Sequence, residues 1–203
     1  MVTSSTLGII RPSLVCIATT EEKDWIKLTR LSTDGNHLVK KSMELGKPIV
    51  IVSINYRLNV LGFFSAPELV AEAAEAGETP VLNQGLNDQK LALQWIRSHI
   101  RYFGGDGDRL TVSGESAGGA SIWYLLKGKT PLFNQAIIQS SPYPNTRTLE
   151  SAQADFGKLI LATGTSLAAP YQVKLAAIRS IPTAELLLLW NASAPATPIA
   201  DAN

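Results

Sequence analysis

The stretch of sequence that decides the fold is RLTVSGESAGGASIWYLLKG, residues 109–128. It opens as a short β-like run, turns at a serine set between small residues, and continues at once as a helix-like run. Gly114, Ser116 and Gly118 fit the pattern G-x-S-x-G in the strand–turn–helix context that a nucleophile elbow requires. Two interpretations follow: an activated serine nucleophile, or a tight structural turn that contains a serine.

The small residues around Ser116 have a physical explanation if the turn is an elbow. A serine on a sharp strand-to-helix turn has strained backbone angles, and side chains two positions to either side would collide, which favours glycine at 114 and 118. The following helix directs its N-terminal N–H groups and the positive end of its dipole toward the site. The backbone N–H of Ala117 is therefore the candidate donor to an oxyanion.

The flanking sequence predicts the strands of an α/β fold. KPIVIVSINYRL (47–58) is a continuous apolar, β-branched run that predicts a strand buried on both faces. RLTVSG (109–114) predicts a short strand, and LFNQAIIQSS (132–141) predicts another buried strand. Because helical segments alternate with these strands, the order favours a parallel sheet with right-handed crossovers.

The clearest predicted helix is LNDQKLALQWIRSHIRYFGG, residues 86–105. Leu93, Ile96 and Ile100 recur at helical spacing, and Leu91 and Trp95 are interpreted as widening the same buried stripe. Trp95 is thus assigned to the core rather than to stacking on a substrate. LVAEAAEAGETPVL predicts a surface helix or mobile loop, and the tail predicts further helices; these segments cover residues 69–82, 149–163, 170–180 and 183–190.

Composition excludes some classes of function. The chain has 203 residues, 45% of them hydrophobic, and its 18 Lys and Arg nearly balance its 17 Asp and Glu. This balance provides no basic field for nucleic acid or an anionic membrane, and no apolar run is long enough to span a bilayer. Cys16 is the only cysteine, so no disulfide forms within the chain. The first residues lack an early positive charge and do not predict a signal peptide.

Beyond the elbow, three blocks carry a resemblance to a known family. GKPIVIVSINYRLNVLGFFSAPEL, NQGLNDQKLALQWIRSHIRYFGGD and RLTVSGESAGG follow one another in the order seen in type-B carboxylesterases. That family includes cholinesterases, related lipases and non-catalytic neuroligin-like adhesion proteins, and the chain resembles it from about Asp34 to about Pro142. The resemblance implies an α/β-hydrolase fold, a small-molecule or lipid ester as substrate, and no metal or organic cofactor.

The resemblance also implies roles for individual residues. Ser116 matches the catalytic serine, and Ala117 matches one oxyanion-hole donor. Glu115 matches the family's buried glutamate beside the serine, which is not the acid of the triad. Arg57 and Asp88 match charges of the scaffold, for which structural hydrogen bonding near the sheet is the favoured interpretation.

Part of the expected catalytic machinery has no match in the chain. A serine nucleophile needs a base and an orienting acid, which follow the serine in α/β-hydrolases. The two histidines, His37 and His99, both precede Ser116. The family's glycine-rich oxyanion loop is absent as well, and residues 1–33 match nothing in the family. We therefore predict an unrelated or misassembled segment over 1–33 and a partial carboxylesterase domain over 34–203.

Two expectations follow from this partial match. The sheet is expected to lack its early and C-terminal strands, with Leu186–Trp190 packing as core or, alternatively, contributing to an acyl pocket or lid. The chain is expected to be a fragment with little esterase activity of its own. A non-catalytic pseudoenzyme or protein-binding module of the same family remains the alternative.

Overall fold

A computed structural model of the protein describes residues 35–141, 145–191 and 198–199, together with the backbone of Val15 and Cys16. The chain divides into two compact units, one formed by residues 1–55 and 89–144 and the other by residues 56–88 and 145–203. The prediction that residues 1–33 are unrelated to the rest lies outside the described residues, apart from that two-residue strand, and stays a prediction.

The described elements follow the order expected of an α/β chain. The strands are β1 (Val15–Cys16), β2 (Thr111–Glu115) and β3 (Gln135–Gln139). The helices are α1 (Asn36–Glu44), α2 (Asn59–Phe63), α3 (Pro67–Glu75), α4 (Gln84–His99), α5 (Ala117–Leu126), α6 (Leu149–Ala162), α7 (Tyr171–Arg179) and α8 (Thr183–Asn191). Within the described part of the chain, no helix is long and apolar enough to cross a membrane.

The first unit contains a three-stranded sheet. Its order is β1-β2-β3, and both pairs are parallel, with Val112 opposite Val15 on one side and Ala136 on the other. Helix α5 follows β2 directly and is followed by β3, which gives the β-α-β crossover that parallel strands require. The predicted partial α/β fold, a small parallel sheet flanked by helices, is confirmed.

The structure confirms one part of the buried apolar stripe predicted for α4 and contradicts the other. Leu93, Ile96 and Ile100 are buried, at 0%, 1% and 5% exposure. Leu91 and Trp95 are 64% and 51% exposed, so the assignment of Trp95 to the core was wrong. Each residue of a helix advances about 100° around the axis. Leu91 and Trp95 each lie two residues from Leu93 and therefore point away from the face that it occupies.

The segment 47–58 does not form the predicted strand. Among the described residues of this segment, only Ser53 carries a single-residue bridge, and the apolar residues 48–52 are half-buried rather than buried on both faces. A β-strand exists only through hydrogen bonds to neighbouring strands. The β-branched composition of this segment therefore does not produce a strand by itself.

The strand predicted within residues 132–141 is present as β3, but it is not buried as predicted. Gln135, Ala136, Ile137 and Gln139 are exposed, and Ile138 is half-buried. Ile137 retains 45% of its surface. A continuous apolar run predicts burial only where other elements cover both faces of the strand, and the described elements do not cover β3 in this way.

The second unit is helical and has its own core. Its central buried side chains come from α2, the segment before α3, α6, α7 and α8, and they are Val60, Ala66, Phe156, Leu159, Ile160, Leu175, Ile178 and Trp190. Phe64 packs against this core, with its ring centroid 5.7 Å from that of Phe156 and 5.8 Å from that of Trp190. The tail helices were predicted within one or two residues, because their apolar residues recur with helical period.

Helix α8 tests the interpretation of the leucine-rich segment. Trp190 is 2% exposed and lies in the core, while Leu186, Leu187 and Leu189 pack against it partly buried. Leu188 is 73% exposed on the opposite side of the helix. Core packing is therefore confirmed for Leu186–Trp190 apart from Leu188.

Two ion pairs join α3 to α7 in the second unit. The ammonium of Lys174 lies 3.1 Å from Oε1 of Glu68, and both side chains are nearly buried, at 13% and 8% exposure. Arg179 donates two hydrogen bonds to Glu72, at 2.6 and 2.7 Å, from an exposed position. The same two helices thus share one buried and one solvent-screened pair.

Candidate active site

Ser116 is a single residue of unusual backbone conformation between two regular elements. Strand β2 ends at Glu115 and helix α5 begins at Ala117. The backbone angles of Ser116 are φ 51° and ψ −116°, which L-residues other than glycine rarely adopt. Such a conformation costs on the order of 1–3 kcal/mol and persists only where the surrounding structure fixes it. The strained strand-to-helix turn predicted from the sequence is present at this serine.

Close backbone approach accounts for the glycine before Ser116. A Cβ atom added to Gly114 would lie 2.5 Å from the carbonyl carbon of Gly118 and 2.6 Å from its oxygen. No side chain fits at such distances, and backbone atoms cannot move aside as the end of a flexible side chain can. Gly114 and Gly118 are both buried where β2 and the first turn of α5 meet.

The next glycine, Gly119, was given no role from the sequence, but the structure leaves no room for a side chain there either. A Cβ atom added to Gly119 would lie 2.8 Å from the Cβ of Ser141 and 3.1 Å from Cγ2 of Ile138. Gly119 therefore lets α5 lie close to β3. The Gly118-Gly119 pair was the signal in the sequence, since two adjacent glycines at a helix start are costly unless something packs against them.

Backbone hydrogen bonds hold the turn on both sides of Ser116. The N–H of Ser116 donates to the carbonyl oxygen of Gln139 in β3 at 2.9 Å, and the carbonyl of Ser116 accepts from the N–H of Ala120 at 3.0 Å. The serine is thus anchored to the neighbouring strand and to the first turn of α5. The N–H of Ala117 lies in that first turn, where helix geometry provides no intrahelical acceptor.

Glu115 differs from what the resemblance implied. Its side chain is exposed at the last position of β2, whereas the matching family residue was expected to be buried. Burial of a carboxylate is costly without several hydrogen-bond partners. Successive side chains of a strand also point to opposite faces, so Glu115 does not share the face of buried Gly114.

The two histidines lie in helices of the first unit. His37 is exposed in α1. His99, at the end of α4, has Nδ1 2.8 Å from the carbonyl oxygen of Trp95, and its ring stacks on the Trp95 ring with centroids 4.7 Å apart. Both of these contacts of His99 are made within its own helix. They favour the structural role that the sequence predicted for this histidine.

Arg57 and Asp88 form the scaffold pair that the sequence predicted. The Arg57 side chain donates to both carboxylate oxygens of Asp88, at 2.8 and 2.7 Å, and its backbone N–H donates at 3.0 Å. These hydrogen bonds lower the pKa of Asp88 below its ordinary value, against the opposing effect of burial. The interpretation as structural hydrogen bonding is confirmed, and the pair fixes the start of α4 within the second unit.

Two cavities lined by described residues do not contain Ser116. One, of about 470 Å³, is lined in the second unit by Leu69, Glu72, Ala73, Ala76, Glu78, Thr79, Val81, Gln84 and Arg179. The other, of about 240 Å³, is lined by Asp108, Arg109, Asn134 and Gln135. The described side chains also bring together no group of three His, Cys, Asp or Glu residues able to hold a metal ion. The chemistry of the candidate site rests on the elbow itself.

Comparison with known sequences points to one family. The model of the carboxylesterase family matches residues 17–187. Lipase 5 of Diutina rugosa is 37% identical over 165 residues, an alignment that covers 76% of this chain and 28% of that lipase. Lipase 1 of Geotrichum candidum is 38% identical over 163 residues, covering 73% of this chain and 27% of its own length. The chain thus spans little more than a quarter of these curated relatives.

Comparison with solved structures gives the same fold. A thermophilic pNB esterase superposes with a TM-score of 0.72 at 28% identity, over 94% of this chain and 38% of that one. EstA of Aspergillus niger superposes with a TM-score of 0.68, also at 28% identity, over 89% of this chain and 33% of its own. The first of these proteins is named an esterase, and the small parallel sheet with its helices corresponds to part of the fold of both.

Proposed function

The chain belongs to the carboxylesterase family, and on that premise we propose that Ser116 is the nucleophile of a carboxylic-ester hydrolase. The hydroxyl oxygen of Ser116 attacks the ester carbonyl carbon, and its proton passes through a general base to the leaving alkoxide. The bond between the carbonyl carbon and the alcohol oxygen breaks, which leaves an acyl-serine. Water then attacks the acyl-serine, releases the carboxylic acid and restores the hydroxyl.

The observation that carries this proposal is the backbone of Ser116. A purely structural turn between β2 and α5 has no need for a non-glycine residue at φ 51° and ψ −116°. A glycine would adopt these angles without strain. Strain retained at a residue with a nucleophilic side chain is typical of active sites, where it presents the hydroxyl at the end of a strand.

Helix α5 supplies the electrostatic part of the proposed chemistry. Its first N–H groups, beginning with that of Ala117, and the positive end of its dipole lie directly after Ser116. We assign the N–H of Ala117 as one donor to the oxyanion that forms on the ester carbonyl oxygen. Loss of one such donor typically slows turnover by about 10²–10³-fold.

The substrate belongs to the class of carboxylic esters, either a small molecule or a lipid. The named relatives include lipases of Diutina rugosa and Geotrichum candidum and a carboxylesterase, patB, of Aspergillus clavatus. The proposed domain extends from Asp34 through residue 203 as part of a carboxylesterase domain. No metal or organic cofactor takes part in the proposed acyl transfer.

The 203-residue chain by itself is proposed to turn over esters slowly. No histidine follows Ser116, and both histidines of the chain precede it. Without a base to accept the serine proton, the hydroxyl is a poor nucleophile at neutral pH. Hydrolysis of a p-nitrophenyl ester by the wild-type chain is therefore expected to match that of Ser116→Ala.

Addition of imidazole distinguishes a nucleophile that lacks its base from an inert serine. We expect imidazole to accelerate p-nitrophenyl ester hydrolysis by the wild-type chain beyond its effect in buffer, because it supplies the missing base. Ser116→Ala should follow the buffer rate at every imidazole concentration, and Ser113→Ala, in strand β2 before the turn, should behave as wild type. Equal imidazole dependence for wild type and Ser116→Ala would refute the nucleophile assignment.

A non-catalytic role in the same family is the second candidate function. The observation in its favour is the absence of a histidine after Ser116. A pseudoenzyme or binding module predicts that neither the wild-type chain nor the imidazole-supplemented chain gains activity from Ser116. The same experiment therefore separates the two candidates.

A further inference from the structure

One polar side chain interrupts the buried apolar face of α4. Leu93, Ile96 and Ile100 lie on that face, and Gln89 lies on it one turn earlier, with 0% of its surface exposed. Residues four and seven positions apart share one face of a helix, so position 89 belongs to the same stripe as Leu93 and Ile96. An amide in a core is costly unless it forms hydrogen bonds. The contact that Gln89 makes there therefore indicates its role.

Gln89 forms a side-chain hydrogen bond to the helix that follows Ser116. Its Nε2 donates to the hydroxyl oxygen of Ser121 at 3.2 Å, and Ser121 is itself only 6% exposed. Both residues belong to the first unit. Ser121 lies in α5 about one turn after Ala117, so the hydrogen bond joins α4 to the part of α5 that carries the proposed oxyanion donor.

The beginning of α5 is also packed closely against the sheet. The backbone of Gly118 lies against Gly114 of β2, and Gly119 lies against Ile138 of β3. Close contacts of this kind set how near two elements lie, whereas a hydrogen bond depends on angle as well as distance. The hydrogen bond from Gln89 therefore restrains the rotation of α5 about its axis in addition to its position on the sheet.

We propose that Gln89 is a positioning residue for the elbow. Through Ser121 it holds α5 in the rotation that directs the N–H of Ala117 at the ester carbonyl oxygen. This role rests on the proposed function, in which Ser116 is the nucleophile. Gln89 acts through the hydroxyl of Ser121 and does not itself take part in the acyl transfer.

A purely structural role does not require glutamine at position 89. Replacing two buried, hydrogen-bonded partners by apolar groups of the same shape is nearly neutral or stabilising. Leu93 and Ile96 show that apolar side chains fill the same face of α4. A hydrogen bond at a place where apolar packing would supply the stability favours a requirement for the position of α5.

The rate at which a fluorophosphonate labels Ser116 depends on the position of α5. The serine oxygen forms a bond to phosphorus, fluoride leaves, and added imidazole takes up the serine proton. The phosphoryl oxygen then occupies the place of the ester carbonyl oxygen, so a misplaced donor slows the reaction. A displacement of about 1 Å costs up to about 10²-fold. In the full chain with imidazole, the double variant Gln89→Leu, Ser121→Ala should label at position 116 about tenfold more slowly than the wild type.

Urea unfolding measured in parallel separates positioning from stability. Because both partners of the hydrogen bond are removed together, the double variant is expected to keep the urea midpoint of the wild type. A structural role predicts that labelling follows the midpoint and is therefore not slowed. The matched control is Gln94→Leu, the same change at an exposed position of α4, which should alter neither quantity. Failure of the double variant to fold would assign Gln89 a structural role and overturn the proposal.

Amide hydrogen exchange is a second readout, and it does not depend on the chemistry of the serine. The N–H of Ala120 donates to the carbonyl oxygen of Ser116 at 3.0 Å in the first turn of α5. In the double variant, exchange at Ala120 should rise about tenfold while exchange at Leu93 in α4 stays at the wild-type rate. No change at Ala120, or an equal change at both amides, would contradict the positioning role.

The role of Gln89 and the identity of the nucleophile fail under different outcomes. If Ser116 is labelled at the same rate in the wild type and in the double variant, the role of Gln89 is overturned and the nucleophile stands. If the wild type is not labelled at Ser116, the nucleophile is overturned and the positioning role falls with it.

Discussion

Phe156 in the second unit and Ile137 in the first are both apolar residues near the middle of their elements, yet Phe156 is 1% exposed and Ile137 is 45% exposed. Helices α2, α6, α7 and α8 of the second unit cover one another's apolar faces and bury a shared cluster. Strand β3 of the first unit pairs with β2 on one side, and no described strand pairs with it on the other. The side chains of a strand are buried only where other elements cover its faces, so Ile137 stays exposed on β3 although other apolar side chains of the first unit, such as Leu93 and Ile96, are buried.

Truncation in the helical core should have the largest effect. Phe156→Ala removes a fully buried ring from the cluster and is expected to lower the free energy of unfolding by about 3–5 kcal/mol. Leu161→Ala, at a position 58% exposed on the same helix, should change it by less than about 0.5 kcal/mol. Urea unfolding of both variants measures the difference. A small effect of Phe156→Ala would mean that the second unit is not packed as described.

The two ion pairs between α3 and α7 should contribute unequally to stability, the buried pair more than the exposed one. Lys174→Met leaves the buried carboxylate of Glu68 without its cation, which is expected to cost about 3 kcal/mol. Arg179→Met removes an exposed, solvent-screened pair with Glu72 and should leave the urea midpoint nearly unchanged. Similar midpoints for the two variants would contradict the difference in burial.

Two Gly→Ala substitutions compare the elbow with the helical unit. Gly114→Ala places a methyl group 2.5 Å from the backbone of Gly118 and is expected to destabilise the chain by about 1–3 kcal/mol. Gly157→Ala, in the middle of α6, meets only Leu167 Cδ2 at 3.6 Å and should stabilise by up to about 1 kcal/mol through helix propensity. Thermal or urea unfolding measures the change in stability for each variant. Changes of the same sign would contradict the close approach of Gly114 to Gly118.

The smallest expected effect concerns Asp88, whose pKa is lowered by hydrogen bonds from Arg57. A carboxyl whose folded pKa lies below its unfolded value stabilises the fold above the unfolded pKa. That contribution is lost as pH falls through the folded pKa. Asp88→Asn is therefore expected to cost about 1 kcal/mol at neutral pH and progressively less in acid. Urea midpoints of the wild type and Asp88→Asn between neutral and acid pH measure this difference in stability. A difference that grows on acidification would contradict a lowered pKa of Asp88.

The outcome of the sequence analysis follows the same division between local and non-local structure. The tail helices and the buried face of α4 were predictable because the helical spacing of their apolar residues is a local sequence pattern. The strand over 47–58 and the burial of β3 were not, because both depend on segments distant in sequence. Trp95 was assigned to the core from its nearness to the stripe, although two residues along a helix reverse the direction of a side chain.

The elbow was predictable because its constraints are local. The pattern G-x-S-x-G encodes the close approach of Gly114 to Gly118 and the backbone strain at Ser116, and the structure contains both. The solvent exposure of Glu115 could not be obtained in this way. Its expected burial came from the family, and the burial of a side chain depends on the elements packed around it.

The most direct test of Ser116 as a nucleophile is its covalent labelling by a fluorophosphonate, read by mass spectrometry of the modified peptide. We predict slow labelling that imidazole accelerates, with the adduct on Ser116 in preference to the other serines and absent from Ser116→Ala. Adducts spread over several serines, or labelling of Ser116 that imidazole leaves unchanged, would contradict it.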